Sequence, residues 1–297
     1  MLEPPANPDW LLESLLEEET LPSALAQVPN VKLIAFDLDG TLLTSDKIIT
    51  ERSERAIKAL SDLGVAMVPC TGRPPRNMKH YVEQLGLGSA FVFNGAGIYS
   101  AATDTTTYRH CFEKAKALEV IRVVRERFPD VMAGMEASHG WYLDTNYYEW
   151  RKTQDYLPKQ EPTDVGDICD FVGEGTVKIY FRKPGLTAKE MSLALTGVET
   201  YWTWASDQLL EVMAPKVNKR EALVHLCTEL GISWQETIAF GDEHNDQGML
   251  LWAGLGVAMG NAKSEAKEVA DFITSSNDED GVAVVLEAVL ANLVKGE

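Results

Sequence analysis

The stretch Phe36-Asp37-Leu38-Asp39-Gly40-Thr41-Leu42-Leu43-Thr44 follows directly on the apolar run Val31 to Ala35. The run predicts a buried strand that ends at two carboxylates. In an open α/β sheet, ligands bind outside the carboxyl ends of the strands, so we expect Asp37 and Asp39 to share a pocket there. Because the two residues are two positions apart on extended chain, their side chains leave on the same face. Taken alone, the pair also fits an ordinary acidic strand end.

Three later segments repeat this arrangement of an apolar run followed by polar side chains. They are Val65–Pro69 with Cys70–Pro74, Leu210–Pro215 with Val217–Lys219, and Thr237–Phe240 with Gly241–Asp246. In order and content, the four segments resemble the motifs of the haloacid dehalogenase superfamily. Three shorter segments resemble the Cof-type branch of this superfamily (subfamily IIB): the turns Thr71-Gly72-Arg73 and Asn94-Gly95-Ala96, and the stretch 256–262. The resemblance covers residues 31 to 290.

The resemblance implies an α/β fold, a HAD-like Rossmannoid parallel sheet with an inserted α+β cap domain of type C2B. Helix-period segments alternate with continuous apolar runs, as expected for a parallel sheet covered by helices on both faces. The alternation pauses after Ile98-Tyr99, and residues from about 107 to 211 carry a separate pattern. We therefore predict an N-terminal extension with a short amphipathic helix at 1–30, a catalytic core at 31–106 and 212–297, and a cap at 107–211.

Asp37 and Asp39 have the chemistry for a two-step phosphoryl transfer. A carboxylate can attack phosphorus and form an aspartyl-phosphate, which divides one difficult displacement into two easier ones. We assign this attack to Asp37. A second carboxyl group near the leaving oxygen can protonate it and later deprotonate the hydrolytic water. We assign that role to Asp39.

The phosphoryl group needs donors and positive charge in a fixed geometry, because negative charge spreads over its three equatorial oxygens. Lys219 and the Thr71 hydroxyl can supply them. Gly72 lets a backbone N–H approach phosphate closely, and the Leu38 N–H lies in the first acidic loop. The resemblance adds Asn245 as a residue that orients phosphate. Together these five residues form the predicted phosphate-binding set.

A cation must lie among these acids, since an anionic substrate would otherwise be repelled. Magnesium fits, because it takes carboxylate, carbonyl, water and phosphate oxygens in an octahedron. The resemblance implies three ligands, the Asp37 side chain, the Asp39 carbonyl and the Asp242 side chain. It also places Arg73 and Asp246 around them, with Asp246 as the partner of Lys219. This chain departs from the family in having Lys216 and Arg220 where glycine is usual.

The inserted cap is where we expect substrate specificity to lie. Closing a cap over a phosphoryl-transfer site expels water and adds contacts to the leaving group. The turn at 136–141 contains groups that can hydrogen-bond to a sugar or stack on it. We therefore name Glu136, His139 and Trp141 as candidate substrate residues, although hairpin tips of this kind are often simply exposed.

The amino-acid composition argues against several kinds of binding partner. With 45 acidic and 27 basic side chains in 297 residues, the formal charge of −18 argues against nucleic-acid binding. No apolar run approaches the roughly 20 residues of a membrane span, and no leader pattern begins the chain. We expect a cytoplasmic monomer or homodimer with reduced thiols, since no C-x-x-C spacing occurs among the cysteines, which are Cys70, Cys111, Cys169 and Cys227.

The sequence thus predicts a Mg²⁺-dependent phosphatase that hydrolyses a small phosphorylated metabolite, and it favours a sugar phosphate. Three alternatives stay open. A phosphomutase uses the same nucleophile and acid/base pair, and a sucrose- or trehalose-phosphate type phosphatase is a narrower version of the same function. From a different class, a regulatory or binding protein could keep the fold without turnover.

Overall fold

The structure, a computed structural model, describes residues 21–154 and 160–295. The amphipathic helix predicted at the start of the chain lies outside these residues. No helix among the described residues is long and apolar enough to cross a membrane.

The described chain contains fourteen strands and eleven α-helices. The strands are β1 Leu33–Phe36, β2 Ala66–Pro69, β3 Ser89–Val92, β4 Gly97–Ser100, β5 Thr105–Tyr108, β6 Met132–Ala137, β7 Gly140–Asp144, β8 Asp164–Gly166, β9 Thr176–Arg182, β10 Tyr201–Ser206, β11 Leu209–Met213, β12 Thr237–Gly241, β13 Leu255–Ala258 and β14 Phe272–Ile273. The helices are α1 Leu21–Leu25, α2 Glu51–Asp62, α3 Lys79–Leu85, α4 Lys114–Arg127, α5 Thr145–Lys152, α6 Ile168–Phe171, α7 Ala188–Ser192, α8 Lys219–Leu230, α9 Gln247–Trp252, α10 Ser264–Lys267 and α11 Gly281–Lys295.

The chain divides into two compact units, and it passes between them more than once. The first unit comprises the described residues up to Phe91, residues Tyr99–Thr105, and the chain from Lys219 onward. The second comprises Val92–Ile98 and Thr106–Asn218. The domain limits given above from sequence remain a prediction.

A five-stranded parallel sheet forms the centre of the first unit, in the order β14-β13-β12-β1-β2. Strand β1, which lies between β12 and β2, is wholly buried, as expected for a parallel strand covered on both faces. Thr50 is the N-cap of α2, and its side chain accepts a hydrogen bond from the Ser53 N–H. The buried stripe of α2 includes Ile57 and Leu60, and α2 packs against α11. The polar segments predicted to follow β1, β2 and β12 therefore lie at the same edge of this sheet, where the strands have their carboxyl ends.

A six-stranded sheet forms the second unit, in the order β10-β11-β9-β6-β7-β8. Its pairings are antiparallel except for β7 with β8. The sequence pattern predicts a helix near 113–128 and strands near 132–136, 141–143, 177–181 and 199–204, and each has a counterpart in the structure. Strand β8 and helix α6 were not predicted, because segments of three and four residues are too short to show a period.

Candidate active site

Asp37 lies one residue beyond the end of β1. Its backbone N–H donates to the Phe240 carbonyl of β12 at 3.1 Å, which fixes the backbone against the neighbouring strand. Its side chain is buried, and Lys219 Nζ lies 2.7 Å from Asp37 Oδ1. The structure thus brings the predicted nucleophile into contact with the predicted phosphate-binding lysine.

Lys219, the first residue of α8, is fully buried between two carboxylates. Its second partner is Asp246, whose Oδ1 lies 2.6 Å from Nζ. Asp246 Oδ2 accepts hydrogen bonds from the N–H groups of Asp242 and Glu243, both at 3.0 Å. Burial alone would lower the pKa of Lys219, but Asp246 and Asp37 outweigh it and raise the pKa above its usual range. Lys219 is therefore a permanent cation at this position.

Asp242 is held against the first acidic loop by Thr41. The Thr41 hydroxyl donates to Asp242 Oδ1 at 2.7 Å, and both residues are buried. Gly40, between the two loops, has a φ of 75°, and a Cβ at this position would stand 2.2 Å from Asp242 Oδ2. Only glycine fits both the left-handed backbone and this approach. Thr41 was not predicted as a site residue, although its place two residues after Asp39 in the first acidic loop was a usable signal.

The three buried acids Asp37, Asp242 and Asp246 offer a hard oxygen donor set. One carboxylate oxygen from each lies within 4.8 Å of the others. Burial raises the pKa of Asp37 to about 7 and the pKa of Asp242 to about 8, with Asp246 adding to both shifts. Three carboxylates face one ammonium here, so a divalent cation would balance the remaining charge. The residues present therefore fit Mg²⁺, which prefers such oxygens.

These raised pKa values predict a pH dependence of stability in the metal-free protein. From the usual value of 3.8 up to about 7 and 8, folded Asp37 and Asp242 hold protons that the unfolded chain has lost. The free energy of unfolding should therefore fall as the pH rises through this window. Urea unfolding in EDTA at pH 5 and pH 8 measures it. Asp242→Asn should flatten the dependence, and an equal slope in wild type and variant would contradict the assignment.

The Asp39 carboxylate is bound by two cationic side chains, and it is not a member of the buried group of acids. Arg73 donates from Nε to Oδ2 at 2.6 Å and from Nη2 to Oδ1 at 2.7 Å, and Lys47 Nζ donates to Oδ1 at 2.8 Å. Partial burial would raise the pKa of Asp39, but these contacts outweigh it and lower the pKa to about 2. Sequence analysis did not predict Lys47 as a partner of Asp39.

The remaining predicted phosphate-binding residues lie on loops of the same unit. Thr71 is buried just beyond β2, with its N–H on the Phe91 carbonyl at 3.0 Å. Its hydroxyl oxygen accepts from the Arg73 N–H at 3.1 Å, so its own hydrogen can still be donated. Asn245 is buried in the turn at 244–246, and Leu38 is buried in the first acidic loop.

The three candidate substrate residues belong to the second unit, on β6, β7 and their connection. Glu136 is buried and faces Trp141 across the β6/β7 pair. The Trp141 indole N–H donates to the Tyr180 hydroxyl, and the Arg151 guanidinium lies 5.0 Å from the Trp141 ring centroid. His139 is exposed at the hairpin tip. Much of Trp141 is thus engaged inside the second unit itself.

A buried ion pair in the second unit was also missed. Lys178 Nζ lies 2.5 Å from Glu211 Oε1, and the Asn94 side chain donates to Glu211 Oε2 at 3.2 Å. The signal was a single charged residue inside each of two apolar runs, at Val177–Ile179 and Leu210–Val212. Charges in such places need partners when the strands are buried.

Comparison with known proteins gives the class of this protein. A sequence profile of haloacid dehalogenase-like hydrolases matches residues 34–286, and the chain belongs to this family. The comparisons also confirm the predicted Cof-type resemblance and the predicted fold, a parallel HAD-like sheet with a cap domain. They also make the chain a phosphoric monoester hydrolase, a HAD-family phosphatase.

Two relatives and one solved structure illustrate the similarity. The 5-amino-6-(5-phospho-D-ribitylamino)uracil phosphatase YitU of Bacillus subtilis is 31% identical over 261 residues, which cover 86% of this chain and 96% of the relative. The Bacillus subtilis phosphatase YcsE, named for the same substrate, is 32% identical over 259 residues, covering 86% and 94%. The HAD subclass IIB sugar phosphatase BT4131 matches with a TM-score of 0.74 at 22% identity, covers 87% of this chain and 99% of its own, and is similar in fold.

Proposed function

We propose that the protein is a Mg²⁺-dependent phosphatase that hydrolyses a small sugar or sugar-alcohol phosphate through an aspartyl-phosphate on Asp37. The observation that carries the proposal is the buried arrangement of Asp37, Lys219, Asp242 and Asp246 at the carboxyl edge of the parallel sheet. It combines a nucleophile, a fixed cation and a hard oxygen donor set in one place.

Each residue has a defined task in this proposal. Asp37 attacks phosphorus, and the bond from phosphorus to the leaving oxygen breaks. Asp39, which its two cations keep ionised in the free protein, takes up a proton as substrate binds, gives it to that oxygen, and later removes one from the water that cleaves the aspartyl-phosphate. Lys219 and Thr71 stabilise the charge on the equatorial oxygens. Mg²⁺, held by the Asp37 and Asp242 carboxylates and the Asp39 carbonyl, would neutralise charge shared by nucleophile and phosphate.

The substrate class rests on the leaving group that the relatives act on. Two relatives above 30% identity are named for a phosphate ester on a ribityl chain, a sugar alcohol. We extend this chemistry to the present chain as a phosphate ester of a polyhydroxylated small molecule. The cytoplasmic location and the monomer or homodimer state remain predictions from sequence.

The enzyme assay that tests the proposal measures release of inorganic phosphate from p-nitrophenyl phosphate, with and without Mg²⁺, and from a panel of metabolites. The panel should contain sugar phosphates, sugar-alcohol phosphates, phosphoserine and nucleotides. We expect Mg²⁺-dependent release, fastest with the sugar or sugar-alcohol esters. Phosphate moved to another carbon of the substrate without release would favour the mutase, and no turnover at all would favour the binding protein.

Asp242→Ala should raise the Mg²⁺ concentration needed for half-maximal activity by at least about tenfold, or abolish activity. The physical reason is the loss of one of the carboxylates that hold the ion. Titration of activity with Mg²⁺ measures the change, and Glu243→Gln, on the next residue, is the control. An unchanged requirement in Asp242→Ala would show that this carboxylate is not a ligand.

Substitutions in the cap should change substrate preference rather than phosphoryl transfer itself. Groups on the catalytic unit contact the same phosphoryl group in every substrate, so they cannot distinguish leaving groups. Glu136→Gln, His139→Ala or Trp141→Phe should therefore alter the ranking of the metabolite panel more than they alter p-nitrophenyl phosphate hydrolysis. If no change in the region 107–211 alters that ranking while changes on the core do, the cap is only a lid.

A further inference from the structure

One aromatic side chain contacts both of the residues whose cations bind Asp39, the backbone of one and the side chain of the other. The Tyr81 hydroxyl donates to the Lys47 carbonyl at 2.8 Å. The Arg73 guanidinium carbon lies 5.4 Å from the centroid of the Tyr81 ring. Tyr81 itself is buried on α3, so it offers a rigid support. Lys47, Arg73 and Tyr81 thus form one cluster around a carboxylate whose side chain is 39% exposed.

Lys47 occupies a backbone conformation that a side chain does not favour. Its φ is 62°, in the left-handed region where glycine is free of steric cost. The turn is closed by hydrogen bonds from Lys47 N–H to the Thr44 carbonyl and from Thr44 N–H to the Ile48 carbonyl. Asp278 holds it from outside through the Ser45 N–H and hydroxyl, both at 2.7 Å. Strain of this kind collects at functional sites, and the side chain that it carries here reaches Asp39.

These contacts determine the orientation of the Asp39 carboxyl group. Proton transfer to a leaving oxygen requires the carboxyl group within hydrogen-bond reach and correctly turned. A carboxylate this exposed would otherwise rotate freely. Arg73 engages both oxygens, and Lys47 adds a third contact from another direction. The cluster therefore removes the rotational freedom of Asp39 before substrate binds.

We propose that Lys47 and Tyr81 are positioning residues for Asp39, with Lys47 contacting its carboxylate and Tyr81 holding Lys47 and Arg73 in place. The inference rests on the proposed acid/base function of Asp39. Its consequence is a dependence on the leaving group. p-Nitrophenolate departs readily without a proton, whereas phenolate and sugar alkoxides need one. Since kcat/KM covers the steps through the first phosphoryl transfer, impaired positioning should lower it more for the poorer leaving group.

The experiment compares kcat/KM for p-nitrophenyl phosphate and phenyl phosphate, which share their ring and differ in leaving-group quality. The test variants are Tyr81→Phe and Lys47→Met. The controls are Tyr99→Phe, which loses a hydroxyl bonded to exposed Asp104 at 3.0 Å, and Lys58→Met, which loses a surface pair with Glu54. We expect both test variants to lose at least about fivefold more with phenyl phosphate than with p-nitrophenyl phosphate. The controls should keep the wild-type ratio.

If kcat/KM falls equally with the two substrates in both test variants, or does not fall at all, the proposal is overturned. The cluster would then have only a structural function. Thermal unfolding of each variant accompanies the kinetics. If Lys47→Met does not fold, Tyr81→Phe decides, because it removes a single oxygen. The failure of the proposed function has a different signature, since Asp39→Asn would then also show no dependence on the leaving group.

Discussion

Asp37→Asn is expected to lower turnover by at least about a thousandfold while leaving the fold intact, because the isosteric amide cannot attack phosphorus. The fold should survive because the change removes one of three crowded buried carboxylates, and Lys219 keeps Asp246 as its partner. Phosphate release from p-nitrophenyl phosphate measures the loss, and thermal unfolding measures the fold.

Asp130→Asn is the matched control, since the Asp130 side chain is 92% exposed and its pair with Lys183 is long, at 3.5 Å. It should behave as wild type in both measurements. Activity of Asp37→Asn near the wild-type level would exclude Asp37 as the nucleophile. Loss of the fold together with activity would show instead that Asp37 has a structural function.

Lys219→Met is expected to cost both activity and stability. It leaves Asp37 and Asp246 buried beside each other without their shared cation. Removing one partner of a buried ion pair costs about 3–5 kcal/mol, because the remaining charge cannot be solvated. Turnover should also fall, since the fixed positive charge on the phosphoryl oxygens is lost. Urea unfolding and phosphate release measure the two losses.

The surface pair of Lys58 with Glu54 supplies the comparison for this prediction. Lys58→Met should change the free energy of unfolding by no more than about 0.5 kcal/mol. Adding Asp246→Asn to Lys219→Met should recover part of the lost stability, because it removes one uncompensated charge. A Lys219→Met protein as stable as wild type would mean that the buried acids are protonated and that Lys219 carries no electrostatic role.

The residues at the carboxyl edge of the parallel sheet could be predicted from the sequence, because each polar segment directly follows an apolar run. That local rule places Asp37, Thr71 and Asp242 after β1, β2 and β12 without knowledge of the packing. The rule does not predict the contacts that side chains in turns make. The Lys47 side chain contacts Asp39 only because the turn at 44–48 is held by Tyr81 and Asp278, and neither is close to it in sequence.

Two other features show the same limit. The Lys178–Glu211 pair joins β9 to the next strand of the sheet, β11. Its members are 33 positions apart in the sequence, so only the strand order reveals the contact. Lys216, where the family usually has glycine, has a φ of 66° in the structure. The left-handed backbone is the physical reason for glycine there, and sequence pattern alone does not show the conformation that this lysine accepts.

The most direct test of the account is to look for the phosphoryl group on Asp37. Asp39→Asn should form the aspartyl-phosphate slowly and hydrolyse it poorly, since the base that activates water is missing. Acid quenching of this variant with ³²P-labelled substrate, followed by peptide mapping, locates the label. The account predicts labelled protein with the label in the peptide that contains Asp37, and none in Asp37→Asn. Unlabelled protein with normal steady-state rates, or a label on any other residue, would contradict it.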